Sequence, residues 1–186
     1  MSSALDGARS TVRNLGEEIG GYKVEILRGG IMMKPVRPVH NKTLRLVWNA
    51  LAGQLDAGWE FVSDVRVPSV ELDSELCPDL ALIPAAEEAK NLAEYPPDLI
   101  EIAIEVVSPS SVRHDYEDKA GFHATAGIPL YVLFDPYRAA CTWLWTPQAG
   151  EYQDRQRRTY GAVARLSSTL GELTVDTGTH PTDPQA

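Results

Sequence analysis

Three residues have types and spacings that could do chemistry: Asp79, Glu105 and Lys119. Glu105 lies near the end of "EIAIEVVSPSS", residues 101–111, where Ile102, Ile104, Val106 and Val107 read as a buried β-strand. Ionised carboxylates are rarely buried without a partner. Partners within the strand fail. Successive side chains point to opposite faces, and Glu101, on the face of Glu105, is about 13 Å away along a strand. Asp98 is about 23 Å away and on the other face. Asp79 opens the short apolar run "DLALIP" directly after Pro78. It can meet Glu105 if that run pairs beside 99–107. Two adjacent carboxylates repel unless a cation lies between them or one is protonated. A hard divalent ion such as Mg²⁺ suits two carboxylates, backbone carbonyls and waters.

The lysine comes from the segment after the strand. "SPSS" reads as a tight turn, and "DYEDKAGFHATAG" as a helix closed by Gly127. Asp115 and Lys119 are four apart, hence on one helical face, with His123 four further along it. The turn folds this helix over the strand's end, so Lys119 can point back to the carboxylates. A lysine beside a metal-bound water can serve as base, or as a point charge for a phosphate oxygen. Plainer alternatives stay open: a solvated Asp115–Lys119 pair, ordinary turn chemistry behind "PD", and a buried Glu105–Lys119 pair without catalysis.

The elements that must position these residues are set by periodicity. Residues 9–18 read as a short helix ended by Gly20–Gly21, and "YKVEILRGGIMMKP" as two short strands around Gly29–Gly30. In "HNKTLRLVWNALAGQLDAG", Leu44, Val47, Trp48, Leu51 and Leu55 form one apolar helical face, with Asn41 as N-cap and Gly58 as stop. "WEFVSDVRVP" reads as one strand, and 84–98 as a polar connection with some helical content. Residues 99–135 form a strand–helix–strand unit, implying two roughly parallel strands. From "CTWLWT" onward the pattern is hairpins turning at Gly150, Gly161 and Gly171. The expected class is α/β with a mixed sheet and a hairpin-rich C-terminal third. A single domain is expected over 9–177, with 1–8 and 178–186 flexible.

The bulk numbers are those of an ordinary globular chain: 186 residues, 44% hydrophobic and 23% charged. The net charge of -9, from 26 acidic against 17 basic residues, argues against non-specific coating of nucleic acid. It leaves room for an enzyme that meets DNA through a local patch and bound cations. Cys77 and Cys141 match no zinc pattern and are too few for a disulfide framework. A reduced, cytoplasmic protein is the simplest reading. No apolar window approaches a membrane span.

"CPDLALIP", "IAIEVVSPSS" and "DYEDKAGFHATAGIPLYVLFDP", taken in order, resemble the Uma-two family of bacterial endonucleases, within the PD-(D/E)xK restriction-endonuclease-like superfamily. The resemblance spans about residues 15–177. "YKVEILRGGI" followed by His40 is similar to the family's opening. The resemblance implies a restriction-endonuclease-like core with a curved mixed sheet flanked by helices, and DNA as substrate. It implies Mg²⁺ (or Mn²⁺) held by Asp79, Glu105 and the carbonyl of Val106. The superfamily's lysine two residues after the glutamate is replaced here by Val107. In this family the lysine moves to the following helix, matching Lys119. Glu25, His40 and Asp115 match further polar positions that would support the site. Where relatives tend to have aspartate before the first glycine, this chain has Arg28; where they often have tyrosine four after the lysine, it has His123.

The reading is therefore a metal-dependent DNA endonuclease. One alternative is a catalytically inactive dimer of the same fold, a DNA-associated or structural module. A two-carboxylate glycosidase ranks last, since Lys119 would have no role in it. Trp143 and Trp145, the only aromatic platform, read as core or as a homodimer surface.

Overall fold

The computed structural model describes residues 3–15, 22–35 and 37–183. In chain order the elements are α1 (Ala4–Leu15), β1 (Tyr22–Leu27), β2 (Gly30–Pro35), α2 (Pro38–Ala52), β3 (Trp59–Val62), β4 (Val67–Ser69), β5 (Ser74–Leu76), β6 (Leu80–Pro84), α3 (Ala85–Glu88), β7 (Ile102–Val106), α4 (Lys119–Thr125), β8 (Leu130–Asp135), β9 (Ala140–Gln148), β10 (Glu151–Thr159), β11 (Val163–Ser168) and β12 (Gly171–Asp176).

The main sheet has six strands in the order β10-β9-β8-β7-β6-β3. Only β7 and β8 are parallel; the other pairs are antiparallel. A second sheet, β2-β1-β5-β4, and the β11–β12 hairpin complete the strands. The strand–helix–strand unit expected over 99–135 is present, with β7 and β8 central and wholly buried. Strands buried on both faces read as continuous apolar runs, as "IAIEV" and "LYVLFD" do.

Each face of this sheet has its own core. On one, Ile102, Ile104, Val106, Val132 and Phe134 pack with Val47 and Leu51 of α2 and Leu166, Leu173 and Val175 of the β11–β12 hairpin. Trp143 is buried here and Trp145 packs against the same cluster, so both serve the core. On the other face, Ala103, Val107, Tyr131 and Leu133 meet Phe122 of α4 and Val67 and Leu76 of β4 and β5.

Several boundaries differ from the sequence expectation. The run "WEFVSDVRVP" is two strands in different sheets, because the backbone turns at Asp64, which has φ 57°. α2 starts at Pro38, whose missing N–H costs nothing at the first helical position, and is capped at its end by Gly53. Residues 4–8, expected as flexible, belong to α1, where Leu5 and Ala8 are buried against Ile26. This contact explains Gly29: at φ 75°, a Cβ there would sit 2.6 Å from the Ala4 Cβ. Residues 178–183 also pack: His180 is buried, stacked on Phe134, and the Asp183 N–H bonds the Pro136 carbonyl at 3.0 Å. The expected helix end at 16–18 and its Gly20–Gly21 stop lie outside the described residues, as do residues 1, 2 and 184–186.

Candidate active site

The site forms where β6, β7, the β1–β2 hairpin and the start of α4 meet. β6 runs antiparallel to β7 with Leu80 opposite Ile104, so Asp79 faces Glu105 across the ladder. Asp79 also accepts a 2.7 Å hydrogen bond from the Val106 N–H. That bond fixes the carboxylate against the strand's end. Glu105 shares the β7 face of Ala103 and Val107, toward α4. Glu101 lies just before the strand and accepts a hydrogen bond from Thr169 in the turn between β11 and β12, remote from Glu105.

"SPSS" forms the expected turn. Ser108 and Ser111 hydroxyls lie 2.7 Å apart, the Asp115 N–H bonds the Ser111 carbonyl at 2.7 Å, and the Ser111 hydroxyl donates to the Asp115 carboxylate. The helix starts with two α-helical residues, Val112 and Arg113, and then widens. His114–Asp118 is a π-helical turn, with the Lys119 N–H bonded to the His114 carbonyl. Single π turns inside helices recur at functional sites. Here the turn leaves both Asp115 and Lys119 fully buried, so the pair is not a solvated one.

Lys119 Nζ is the hub. It lies 2.6 Å from Glu105, 2.8 Å from Glu25 and 3.5 Å from Asp115. The structure thus brings Asp79, Glu105, Lys119, Glu25, His40 and Asp115 together, with His40 Nε2 2.9 Å from Asp79. Glu25 also accepts the Cys77 N–H at 3.0 Å, tying β1 to the segment before Asp79.

Two lysines complete the cluster and were not singled out from sequence. Lys23 and Lys34 are directly opposite each other in the β1–β2 hairpin. Lys23 bonds the Asp79 carboxylate; Lys34 lies 2.9 Å from Asp115 and 3.6 Å from Glu25. Like charges directly opposite in a hairpin repel, and the buried acids hold them in place. Strand alternation puts Lys23 on the face of Glu25, two residues away, but does not reveal that this face is buried.

Burial and the lysines set the protonation states. Burial alone would raise every carboxyl here. At Glu25, Lys119, a hydrogen bond from His114, Lys34 and Lys23 together outweigh burial and hold the group well below the ordinary carboxylate range. At Asp79, Lys23 and then His40 do the same. Glu105 is different: burial dominates, and even with Lys119 beside it the group is pushed up to about 8. It is the weakest of these acids and the one that a nearby cation would ionise. Burial works against charge on Lys119, but Glu105, Glu25 and Asp115 together hold it well above its usual value. Behind the hub, burial and then Lys119 push His123 down to about 3, so it is neutral. Its ring packs 4.8 Å from Tyr131, and neither nitrogen has a hydrogen-bond partner among the described residues.

The donor set suits a hard divalent cation. Glu105 Oε2 is buried without a hydrogen-bond partner among the described residues, next to an Asp79 already neutralised by an amine. Among the described residues, no three His, Cys, Asp or Glu side chains are grouped as a ready cage. Mg²⁺ does not need one, since it keeps several waters and commonly takes one or two carboxylates.

The mixed sheet, with an acid pair on adjacent strands and a lysine from the crossover helix, defines a restriction-endonuclease-like protein. Residues 16–178 match the Uma2 family, described as "Putative restriction endonuclease", and the chain belongs to it. Its fold is similar to the crystal structure of a "putative nuclease belonging to DUF820" from Anabaena variabilis, with a TM-score of 0.63 at 16% identity, covering 84% of this chain and 89% of that one. No curated protein matches. No described helix is long and apolar enough to cross a membrane. Cys77 and Cys141 are free and buried; burial pushes the Cys77 thiol up to about 12, so it is no nucleophile.

Proposed function

We propose that this protein is a metal-dependent DNA endonuclease of the PD-(D/E)xK type. The observation that carries the reading is the meeting of Asp79, Glu105 and Lys119 at the joined ends of β6, β7 and the crossover helix. Mg²⁺ or Mn²⁺ would be held by Asp79, Glu105 and the Val106 carbonyl. When bound, such an ion supplies Lewis-acid polarisation of a phosphate and lowers the pKa of a coordinated water.

The chain's own residues supply the rest. Lys119 keeps its proton at Nζ, because Glu105, Glu25 and Asp115 surround it. It therefore acts as a fixed positive charge for the charge that develops on phosphate, rather than as a base. Glu25 and Asp115 hold Lys119 in position from its far side. His40 fixes the second oxygen of Asp79 at the rim, and the Val106 N–H locks the same carboxylate to the strand. The apolar layers on both faces of β7 exclude water, which strengthens these interactions.

Plasmid nicking tests the reading. Purified protein with Mg²⁺ or Mn²⁺ should relax supercoiled DNA, while Asp79→Ala and Glu105→Ala should not. Activity that is absent, or unchanged in both variants, sinks it. One observation favours the inactive-module reading: the four buried acids already have amine partners without a metal. Calorimetry with Mn²⁺ separates the two, since a purely structural ion network takes up no metal.

A further inference from the structure

The acidic chain carries a local run of positive charge that the catalytic reading does not use. It starts at the site and ends at the edge of the main sheet. Arg37 immediately precedes α2, three residues before His40, and its side chain reaches the Tyr137 hydroxyl. Arg138 comes next, its side chain 54% exposed and 3.9 Å from the buried Asp135 carboxylate, with its guanidinium 5.4 Å from the centre of the Tyr116 ring. Arg155 of β10 lies over the same ring at 5.8 Å. Arg157 is two residues further along β10, paired with Thr142 as Arg155 is with Leu144, so both project from one face of an edge strand. Both are exposed.

The stripe is joined to the site at both of its anchors. Tyr116 sits on the π-helical turn, between Asp115 and Lys119. Arg37 leads into the helix that presents His40 to Asp79. The neighbouring acids are engaged. Asp135 is buried, accepting the Tyr116 hydroxyl at 3.1 Å and the N–H groups of Tyr137 and Arg138. Asp154 accepts from Thr146, and Glu117 from Arg113. Asp183 faces Tyr137. Guanidiniums stacked on aromatic rings are held ready with their N–H edges outward, which suits phosphate oxygens.

We infer that Arg37, Arg138, Arg155 and Arg157, spaced by Tyr137 and Tyr116, form a track that binds the phosphodiester backbone of duplex DNA and leads it to the acid–lysine site. The track reads backbone charge and not sequence. The destination rests on the nuclease reading; the track itself can be tested without cleavage.

The test uses the full chain and a fluorescein-labelled duplex, with anisotropy measured across a salt series in EDTA and in Ca²⁺. Each phosphate contact contributes about 0.9 to the slope of log affinity against log salt. Arg155→Ala/Arg157→Ala should therefore flatten the slope by about 1.8, equally on two duplexes of unrelated sequence. Arg155→Lys/Arg157→Lys should keep the wild-type slope. Arg165→Ala, on an exposed residue paired with Glu172 in the β11–β12 hairpin, should leave it unchanged. An unchanged slope in the double alanine variant with an intact circular-dichroism spectrum overturns the track. So does a wild-type protein without salt-dependent binding in either condition. Nicking assays run alongside keep the two ideas apart. Cleavage with an unchanged slope removes the track alone, and a flattened slope without any cleavage removes the nuclease reading alone.

Discussion

The two faces of β7 are built from neighbouring residues and do opposite work. Ile102, Ile104 and Val106 point into an apolar layer closed by α2 and the β11–β12 hairpin. One residue out of step, Glu105 points into a layer where four acids and three lysines are packed with almost no solvent. The first face is held by packing, which is non-directional and tolerant of similar shapes. The second is held by mutual charge compensation, in which removing one member leaves another uncompensated. Buried ion pairs are weak devices for stability and costly to break. They are held here against an apolar face that keeps them dry, where each charge acts strongly on the next.

The largest effects should come from breaking each face in turn. Lys119→Met leaves Glu25, Glu105 and Asp115 facing one another and should cost about 3–5 kcal/mol in urea unfolding. Ile104→Ala should cost about 2–5 kcal/mol through the cavity it opens. The stability losses overlap, so the discriminating measurement is Mn²⁺ calorimetry. Only the change on the charged face should alter the isotherm; equal isotherms for the two variants would falsify the division of labour between the faces.

Next in size is a pH effect. Because the fold holds Glu105 up to about 8, it favours the protonated acid. The metal-free protein should therefore lose stability as pH rises from the ordinary glutamate range toward 8, an effect that Glu105→Gln removes. Glu25 and Asp79 have the opposite sign: their contribution is present above the ordinary carboxylate range and is lost in acid. For the same reason Mn²⁺ binding should tighten from pH 6 to 8 with release of about one proton. Calorimetry in two buffers of different ionisation enthalpy counts that proton, and a count of zero at pH 7 contradicts the state assigned to Glu105.

A smaller effect concerns Lys23, which occupies Asp79 as a built-in cation. Lys23→Gln should tighten Mn²⁺ binding about tenfold, the scale of one charge-assisted hydrogen bond. Weaker binding in this variant would mean that Lys23 supports the ligand rather than competing for it. The smallest is His123→Phe. It replaces a buried ring with two unpartnered nitrogens by an apolar one and should change stability by no more than about 1 kcal/mol, in the stabilising direction. A clear drop in Tm would show that the imidazole has a partner, such as a buried water.

Much of this architecture was legible in the sequence. Asp79, Glu105 and Lys119 could be found because a charge inside an apolar strand is anomalous and because strand and helix periods fix which side chains share a face. The parallel β7–β8 pair followed from the strand–helix–strand pattern. What stayed hidden depends on contacts distant in sequence. Lys23 and Lys34 look like surface lysines of a short hairpin until that hairpin is docked on the ends of β6 and α4. The split of residues 59–69 between two sheets depends on one left-handed residue, Asp64, which alternation does not reveal. The docking of α1 depends on Leu5 and Ala8 meeting Ile26, which no local pattern announces.

The π-helical turn at His114–Asp118 also bears on how the site could have arisen and how it could be lost. A π turn is the mark of one extra residue accommodated without breaking the helix. Removing one residue between Asp115 and Lys119 would restore the regular winding and leave the two three residues apart, still neighbours but about 60° round the helix from each other. The contact between Asp115 and the lysine would then have to be remade at a new angle. Meanwhile Val107, two residues after Glu105, is packed into the core. A lysine at that strand position would have to displace an apolar side chain from the core, so packing as well as charge keeps the amine on the helix.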